Sequence, residues 1–282
     1  MSVALVTGGN TGIGLETCVS LAAQGHDVVL TSRDARRGDA ARDEIVERSG
    51  NDAVDVMALD LARFLSVRQF AAEYLARYDR LDILIHNAGV VLSSRRETED
   101  GNETTFQVNH LGPFLLDALL RERVIASGNA RIVVVSSDAH RSARNGLDFD
   151  DLQTANRRYR AFQAYGRTKL ANILFTRELA RRLAGTDVTA NAVHPGFVAT
   201  RFARDGDTGM LGRIVMPLLR PAALSPAQGA QTSVYVASAP ELDGITGGYW
   251  VKSAPATPTT AAQDDRAAAR LWEASEELTG PA

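Results

Sequence analysis

Cysteine is nearly absent from this chain of 282 residues: Cys18 is the only one, which excludes an internal disulfide and fits a reducing compartment. Its place on the first predicted helix reads as a small buried side chain rather than a reactive thiol. Long apolar runs are missing too; none approaches the ~18–20 residues needed to cross a bilayer. The opening MSVALVTGG has no basic stretch and reaches glycines before a secretory core could form, so a soluble, cytoplasmic protein without a membrane anchor is expected. Charge of one sign is not in excess: 31 Lys and Arg against 34 Asp and Glu leave a net charge of −3. Such a balance attracts neither nucleic acid nor an acidic membrane, and neither is expected as a partner. The five histidines (26, 86, 110, 140, 194) show no metal-ligand spacing and no accompanying carboxylate cluster, so no metal is expected.

What the chain has instead is alternation. VALVT (3–7) is an unbroken apolar run, as a parallel strand covered on both faces requires, and TGIGLETCVSLAAQG (11–25) follows with helical spacing. DVVLTS (27–32), VDVMALD (54–60), LDILIHNAG (81–89), RIVVVSS (131–137) and VTANAVHPG (188–196) repeat the strand pattern. Helical patterns near 35–48, 63–77, 99–127 and 161–184 lie between them. This order predicts an α/β fold: one doubly wound Rossmann-type domain over 1–282, with a parallel sheet of about seven strands and helices on both faces. SAPATPTTAAQ (253–263) reads as an extended surface connection. Beyond it, Ala268, Leu271, Trp272, Ser275 and Leu278 form one stripe of a C-terminal helix, about 264–279, that must dock on the main body.

TGGNTGIG (7–14) joins the first strand to the first helix. Gly8, Gly12 and Gly14 let the backbone turn sharply and approach a pyrophosphate, and the helix N-terminus supplies free N–H groups and partial positive charge. A glycine-rich segment can be an ordinary tight turn, but strand, glycines and helix in this order point to dinucleotide binding. At the tip of the second strand, TSRD (31–34), Arg33 offers a guanidinium to a ribose 2′-phosphate where an acidic residue would repel one. Asp34 could turn back toward the ribose instead. NADP(H) is the expected cofactor and NAD(H) the alternative.

In AYGRTKLAN (164–172), Tyr165 and Lys169 are spaced i, i+4 and share a helix face. A free phenol has a pKa of about 10, and a neighbouring ammonium favours phenolate. Tyr165 is therefore the expected proton donor to a carbonyl oxygen, or acceptor from an alcohol, with Lys169 lowering its pKa. The rival reading is a buried tyrosine beside a snorkelling lysine.

These motifs, in this order, resemble the short-chain dehydrogenase/reductase family, and within it the retinol dehydrogenase-like and WW-domain oxidoreductase-like members. The resemblance covers essentially the whole chain: TGGNTGIG, Asp60-Leu61, HNAG (86–89), QVNHLG (107–112), VVVSS (133–137), YGRTK (165–169) and HPGFV (194–198). It implies a catalytic set of Asn109, Ser137, Tyr165 and Lys169. Ser137 would bond the substrate oxygen, Asn109 would hold a water toward the lysine, and Lys169 would also bond the nicotinamide ribose. For the cofactor it implies Gly8, Asn10, Thr11, Gly12, Ile13 and Gly14 around the phosphates. Asp60 and Leu61 would lie beside the adenine, and Asn87, Ala88 and Gly89 against the adenosine half. Pro195, Gly196, Val198 and Thr200 would lie near the nicotinamide. His86 stands where the family usually has asparagine and reads as a neutral structural histidine.

The connection from Ser137 to Tyr165, including NGLDFDDLQTANRRYR, is long for the family and is expected at the site rim. The segment about 200–225 mixes glycines, prolines and apolar residues, as a substrate-covering loop would. Together these features predict an oxidoreductase interconverting a lipophilic ketone or aldehyde and its alcohol. The alternatives are a non-catalytic dinucleotide sensor or scaffold and a sugar-nucleotide epimerase. Intact Ser137, Tyr165 and Lys169 argue against the first, and the absence of an evident second domain against the other. Helices near 112–127 and 161–184 are candidates for a homo-oligomer interface.

Overall fold

The computed structural model describes residues 2–198 and 223–281. Thr200 and most of the expected loop over 200–225 lie outside the described residues.

Strands β1 (Val3–Val6), β2 (Asp27–Ser32), β3 (Val54–Ala58), β4 (Ile83–His86), β5 (Arg131–Val135), β6 (Thr189–His194), β7 (Tyr249–Val251) and β8 (Ala254–Pro255) form one sheet. Their order is β3-β2-β1-β4-β5-β6-β7-β8, parallel throughout except that β8 pairs antiparallel with β7. The sheet has eight strands where about seven were expected, the eighth being a short addition at its edge. That strand is two residues long, too short to show alternation, and begins after Lys252 and Ser253 turn the chain at φ 51° and 57°.

The unbroken apolar strands arise because both faces of the sheet are covered. In β1, Val3 and Leu5 enter one core cluster while Ala4 and Val6 enter the other, the period-two alternation of a strand. Helices α1 (Gly12–Ala23) and α2 (Ala35–Ser49) cover the second face with Leu21 and Ile45. Helix α3 (Phe64–Arg77) covers the first with Phe70 and Tyr74. A short α4 (Thr104–Phe106) runs through a π-helical turn (Gln107–Leu111) into α5 (Gly112–Ala126). The long α6 (Ala161–Arg182) follows, then α7 (Pro226–Ser238), which a Ser225–Gln228 capping box starts. Cys18 is fully buried on α1, and burial pushes its thiol pKa up, which leaves it inert.

The C-terminal helix α8 (Asp265–Thr279) starts at the Asp264 cap and buries Ala268, Leu271, Trp272 and Ser275. Leu278, expected on the same stripe, is exposed, and Thr279 takes the buried place. The Thr279 hydroxyl donates to the Ser275 carbonyl, and Arg68 donates to the Thr279 carbonyl, which fixes the last turn in that phase. Trp272 packs at 4.9 Å from Phe114 of α5 and 5.8 Å from Phe175 of α6, between the guanidiniums of Arg121 and Arg182. The chain's own helix thus covers part of the α5 and α6 surface that sequence reasoning offered to a second copy. Among the described residues no helix is long and apolar enough to cross a membrane.

Candidate active site

β1 pairs with β2 on one side and β4 on the other, so the chain direction across the sheet reverses between β1 and β4. In open α/β sheets the binding crevice lies at the carboxyl ends of the strands at such a point. The glycine turn follows β1 there. Gly8 and Gly12 have φ of 66° and 57°, values that favour glycine, and a Cβ on Gly14 would lie 2.3 Å from the Gly8 carbonyl oxygen. Asn87, just past β4, ties the turn down by donating to the Thr7 and Gly8 carbonyls at 2.9 and 3.3 Å. The N–H groups of Asn87 and Ala88 both donate to the Thr7 hydroxyl. Asn10 is half-buried in the turn, and Ile13 approaches Val198 where both meet Gly229 of α7. Thr11 makes no side-chain cap bond, which leaves the first-turn N–H groups of α1 for another acceptor.

Past β5, alternation separates the two serines. The buried Ser136 hydroxyl donates to the Lys169 carbonyl at 2.7 Å, whereas the Ser137 hydroxyl lies on the side of the Tyr165 phenol. Lys169 is 3% exposed. Its ammonium lies 5.5 Å from the centroid of the Tyr165 ring and donates to the Val135 carbonyl at 2.8 Å, its only hydrogen-bond acceptor among the described residues. A buried ammonium with three donors and one acceptor is under-satisfied, and ribose hydroxyls would supply the acceptors it lacks. Together with the open helix N-terminus, this fits a nicotinamide dinucleotide. Sequence reasoning overlooked one further signal here. Only Lys169 and Lys252 are lysines among 31 basic residues, so 31 − 2 = 29 are arginines, and a buried lysine stands out against that usage.

Asn109 is buried in the π-helical turn, not on a helix surface. Its side-chain oxygen accepts from the Val90 N–H at 2.7 Å, and its amide donates to the Val90 carbonyl and the Thr168 hydroxyl. Both side-chain N–H groups are therefore committed, one to the Val90 backbone and the other to Thr168 of α6. A Cβ placed on Gly89 would sit 3.3 Å from the Asn109 oxygen and 3.6 Å from the Lys169 nitrogen, so glycine lets these three groups converge.

Protonation runs against one expectation. Burial pushes the Tyr165 phenol above its ordinary pKa, and the neighbouring Ser137 hydroxyl pulls it back only in part. The Lys169 ammonium was expected to lower it, but that charge sits over the ring face, and burial pushes its own pKa down to about 8. Within the chain itself desolvation wins. His86 is neutral, its pKa pushed down to about 3 by burial, and it packs edge-on against Phe175.

The remaining residues expected at the site spread along the crevice. Arg33 is exposed at the β2 tip, followed by the exposed Arg36 and Arg37. Asp34 is not free to turn back, because its carboxylate caps α2 by accepting from the Arg37 N–H at 2.9 Å. Asp60 is half-buried and accepts from the Ala62 N–H, while the Leu61 side chain lies in the core, leaving only backbone to face the crevice. Pro195, Gly196 and Val198 follow β6, with Gly196 at φ 85° against Leu224. The long connection before Tyr165 is anchored by a polar network unseen in the sequence. Buried Glu103 caps α4, its carboxylate accepts from the Tyr159 hydroxyl, and its backbone N–H donates to the Gln153 side-chain oxygen. Among the described residues no group of three His, Cys, Asp or Glu side chains could hold a metal ion.

Comparison with known proteins agrees with this arrangement. Residues 2–148 match the family described as short chain dehydrogenase, and residues 151–252 that described as enoyl-(acyl carrier protein) reductase. The chain is 45% identical over 279 residues to retinol dehydrogenase 12 of Mus musculus, covering 99% of this chain and 86% of that protein. It is 42% identical to the WW domain-containing oxidoreductase of Gallus gallus, covering 98% and 67% respectively. A crystal structure of an uncharacterized protein from Mycobacterium Paratuberculosis superimposes with a TM-score of 0.78 at 34% identity, covering 99% of this chain and 93% of that one. The chain belongs to the short-chain dehydrogenase/reductase family and is an NAD(P)-dependent alcohol or carbonyl oxidoreductase.

Proposed function

We propose that this enzyme uses NADP(H) to interconvert a lipophilic aldehyde or ketone and its alcohol. The observation that carries this reading is the buried Lys169 ammonium 5.5 Å from the centre of the Tyr165 ring, with Ser137 just past β5 beside the phenol. The bound dinucleotide supplies or accepts the hydride. Ser137 and Tyr165 hold the substrate oxygen between two hydroxyls, and Tyr165 gives it a proton in reduction or takes one in oxidation. Lys169 holds the ribose and keeps positive charge near the phenol. Asn109 fixes the Gly89–Val90 backbone that borders the ammonium. Gly8, Asn10, Thr11, Gly12, Ile13 and Gly14 present backbone to the phosphates, and Pro195, Gly196 and Val198 border the nicotinamide half.

Two exposed aromatic rings support an apolar substrate. Phe162 stands one turn ahead of Tyr165 on α6, 56% exposed, and Phe197 follows Gly196, 43% exposed. Relatives named retinol dehydrogenase carry in that name an alcohol with a long apolar body. NADPH consumption with a panel of aliphatic and aromatic aldehydes and ketones tests the reading. Turnover should rise with the apolar area of the substrate. Tight NADPH binding without turnover of any member would turn the reading to a dinucleotide sensor.

The cofactor preference rests on Arg33, with Asp34 committed to its helix cap. Charge-assisted hydrogen bonds are worth about 1.5–3 kcal/mol, so Arg33→Ala should raise the KM for NADPH by about ten- to a hundredfold. The KM for NADH should stay near its wild-type value. An equal change for both cofactors would remove the case for a 2′-phosphate contact.

A further inference from the structure

Two histidines outside the catalytic set converge on a single peptide group. The bond from Ser137 to Asp138 turns the chain from β5 into the 3-10 helix Asp138–Ser142, and Ser137 caps that helix by accepting from the Ala139 N–H. The carbonyl of this peptide is held by His140, whose Nδ1 lies 2.7 Å from the Ser137 oxygen. Its N–H is held by His194, whose Nδ1 accepts from Asp138 at 3.3 Å. A carbonyl only accepts, so His140 carries its proton on Nδ1. Its bare Nε2 accepts the Thr259 N–H at 3.3 Å. The His194 Nδ1 also takes the Gly196 N–H at 3.3 Å, so that nitrogen is bare as well. Each imidazole thus has one nitrogen on the peptide after the site serine and one hydrogen bond reaching a distant segment. For His140 that segment precedes α8, and for His194 it is the turn after β6.

We propose that His140 and His194 are positioning residues, a pair of neutral imidazoles that fix the Ser137–Asp138 peptide and so aim the Ser137 hydroxyl at the substrate oxygen beside Tyr165. This rests on the reading of Ser137 as the group that bonds that oxygen. Two features suit the imidazoles to the task. His140 is fully buried, with its ring edge-on to Tyr249 at 5.3 Å, so its orientation is fixed by packing as well as by hydrogen bonds. Both acceptor nitrogens must stay unprotonated, and the surroundings favour that. Burial lowers both pKa values. The Ser137 carbonyl opposes that effect at His140 and Asp138 opposes it at both rings, while Arg141 adds to it at both and His140 adds to it at His194.

The test is a double-mutant cycle read by steady-state kinetics, with dinucleotide affinity and Tm measured on every variant. His194→Leu and His140→Leu should lower kcat about ten- to a hundredfold, the cost of a misplaced catalytic group, and leave NADPH affinity in place. Asparagine presents an amide oxygen or nitrogen where Nδ1 stood, so His194→Asn and His140→Asn should recover most of that loss. Positioning acts through Ser137, so adding His194→Leu to Ser137→Ala should cost little beyond Ser137→Ala alone. Losses that multiply independently, or leucine variants with wild-type kcat, would overturn the proposal. So would asparagine variants as poor as leucine ones at equal Tm. If His140→Leu does not fold, the His194 arm and the asparagine variants still decide. If Ser137→Ala itself turns over normally, the reading of Ser137 fails first, and that result is distinct from a failure of the histidine pair.

Discussion

Tyr165→Phe is expected to lower turnover by about 10²- to 10⁴-fold, the range that a positioned general acid or base contributes. Only the phenolic oxygen is removed. The ring stays on α6, the Lys169 ammonium keeps its place over the ring face, and the glycine turn is untouched. Dinucleotide affinity, followed by NADPH fluorescence, should therefore survive while single-turnover reduction collapses. The pH dependence carries a second expectation. Burial raises the phenol pKa, so the proton that reduction needs is present throughout the neutral range. Carbonyl reduction should accordingly show no loss attributable to Tyr165 between pH 6 and 8. Alcohol oxidation, which needs phenolate, should climb with pH over the same range. A variant with undiminished turnover would remove Tyr165 from the proton step. An oxidation rate indifferent to pH would mean that another group takes the proton.

The strands and the local groupings of the candidate site could be read from the chain because their signals are local. β1, the glycine turn and α1 are consecutive, and Tyr165 and Lys169 are four residues apart on one helix. The family resemblance points to Ser137, and the structure turns the neighbouring Ser136 hydroxyl the other way, onto the Lys169 carbonyl. What stayed hidden depends on distance in sequence or on burial. Asn109 reaches Val90 and Thr168, Asp34 is spent as a helix cap, and His194 joins Asp138 to Gly196. The partners of Asn109 and the bond between His194 and Asp138 do not follow from spacing, whereas the Asp34 cap is a local pattern three residues long. The ammonium beside Tyr165 was visible in the sequence, but the desolvation that raises the phenol pKa in the chain alone was not. Leu278 and Thr279 differ by one residue at the end of α8, where 100° of helical rotation decides which is buried.

Lys169→Met should make the folded chain more stable and nearly inactive at once. Methionine is close to lysine in length and brings no charge into a site that is 3% exposed. Burial pushes the ammonium pKa from 10.5 down to about 8, which corresponds to a penalty of roughly 3 kcal/mol for keeping the charged form in the fold. The lost hydrogen bond to Val135 offsets part of the gain, but that carbonyl keeps the Asn172 amide at 3.2 Å. The sign with pH follows from the lowered pKa. Below about 8 both folded and unfolded chains hold the proton, and wild type bears the full penalty. Between about 8 and 10.5 the unfolded chain keeps a proton that the folded chain has released, so wild type gains stability as pH rises. The Tm advantage of the variant should therefore be largest near neutrality and shrink toward pH 10. Turnover should fall because the ribose loses its donor and the phenol loses its neighbouring charge. Thermal unfolding of both proteins across that range, beside kcat at pH 7, checks both halves. A variant less stable than wild type at pH 7 would mean that the ammonium is already well compensated inside the fold. Lysine at this position would then be a structural choice and not one kept for its chemistry.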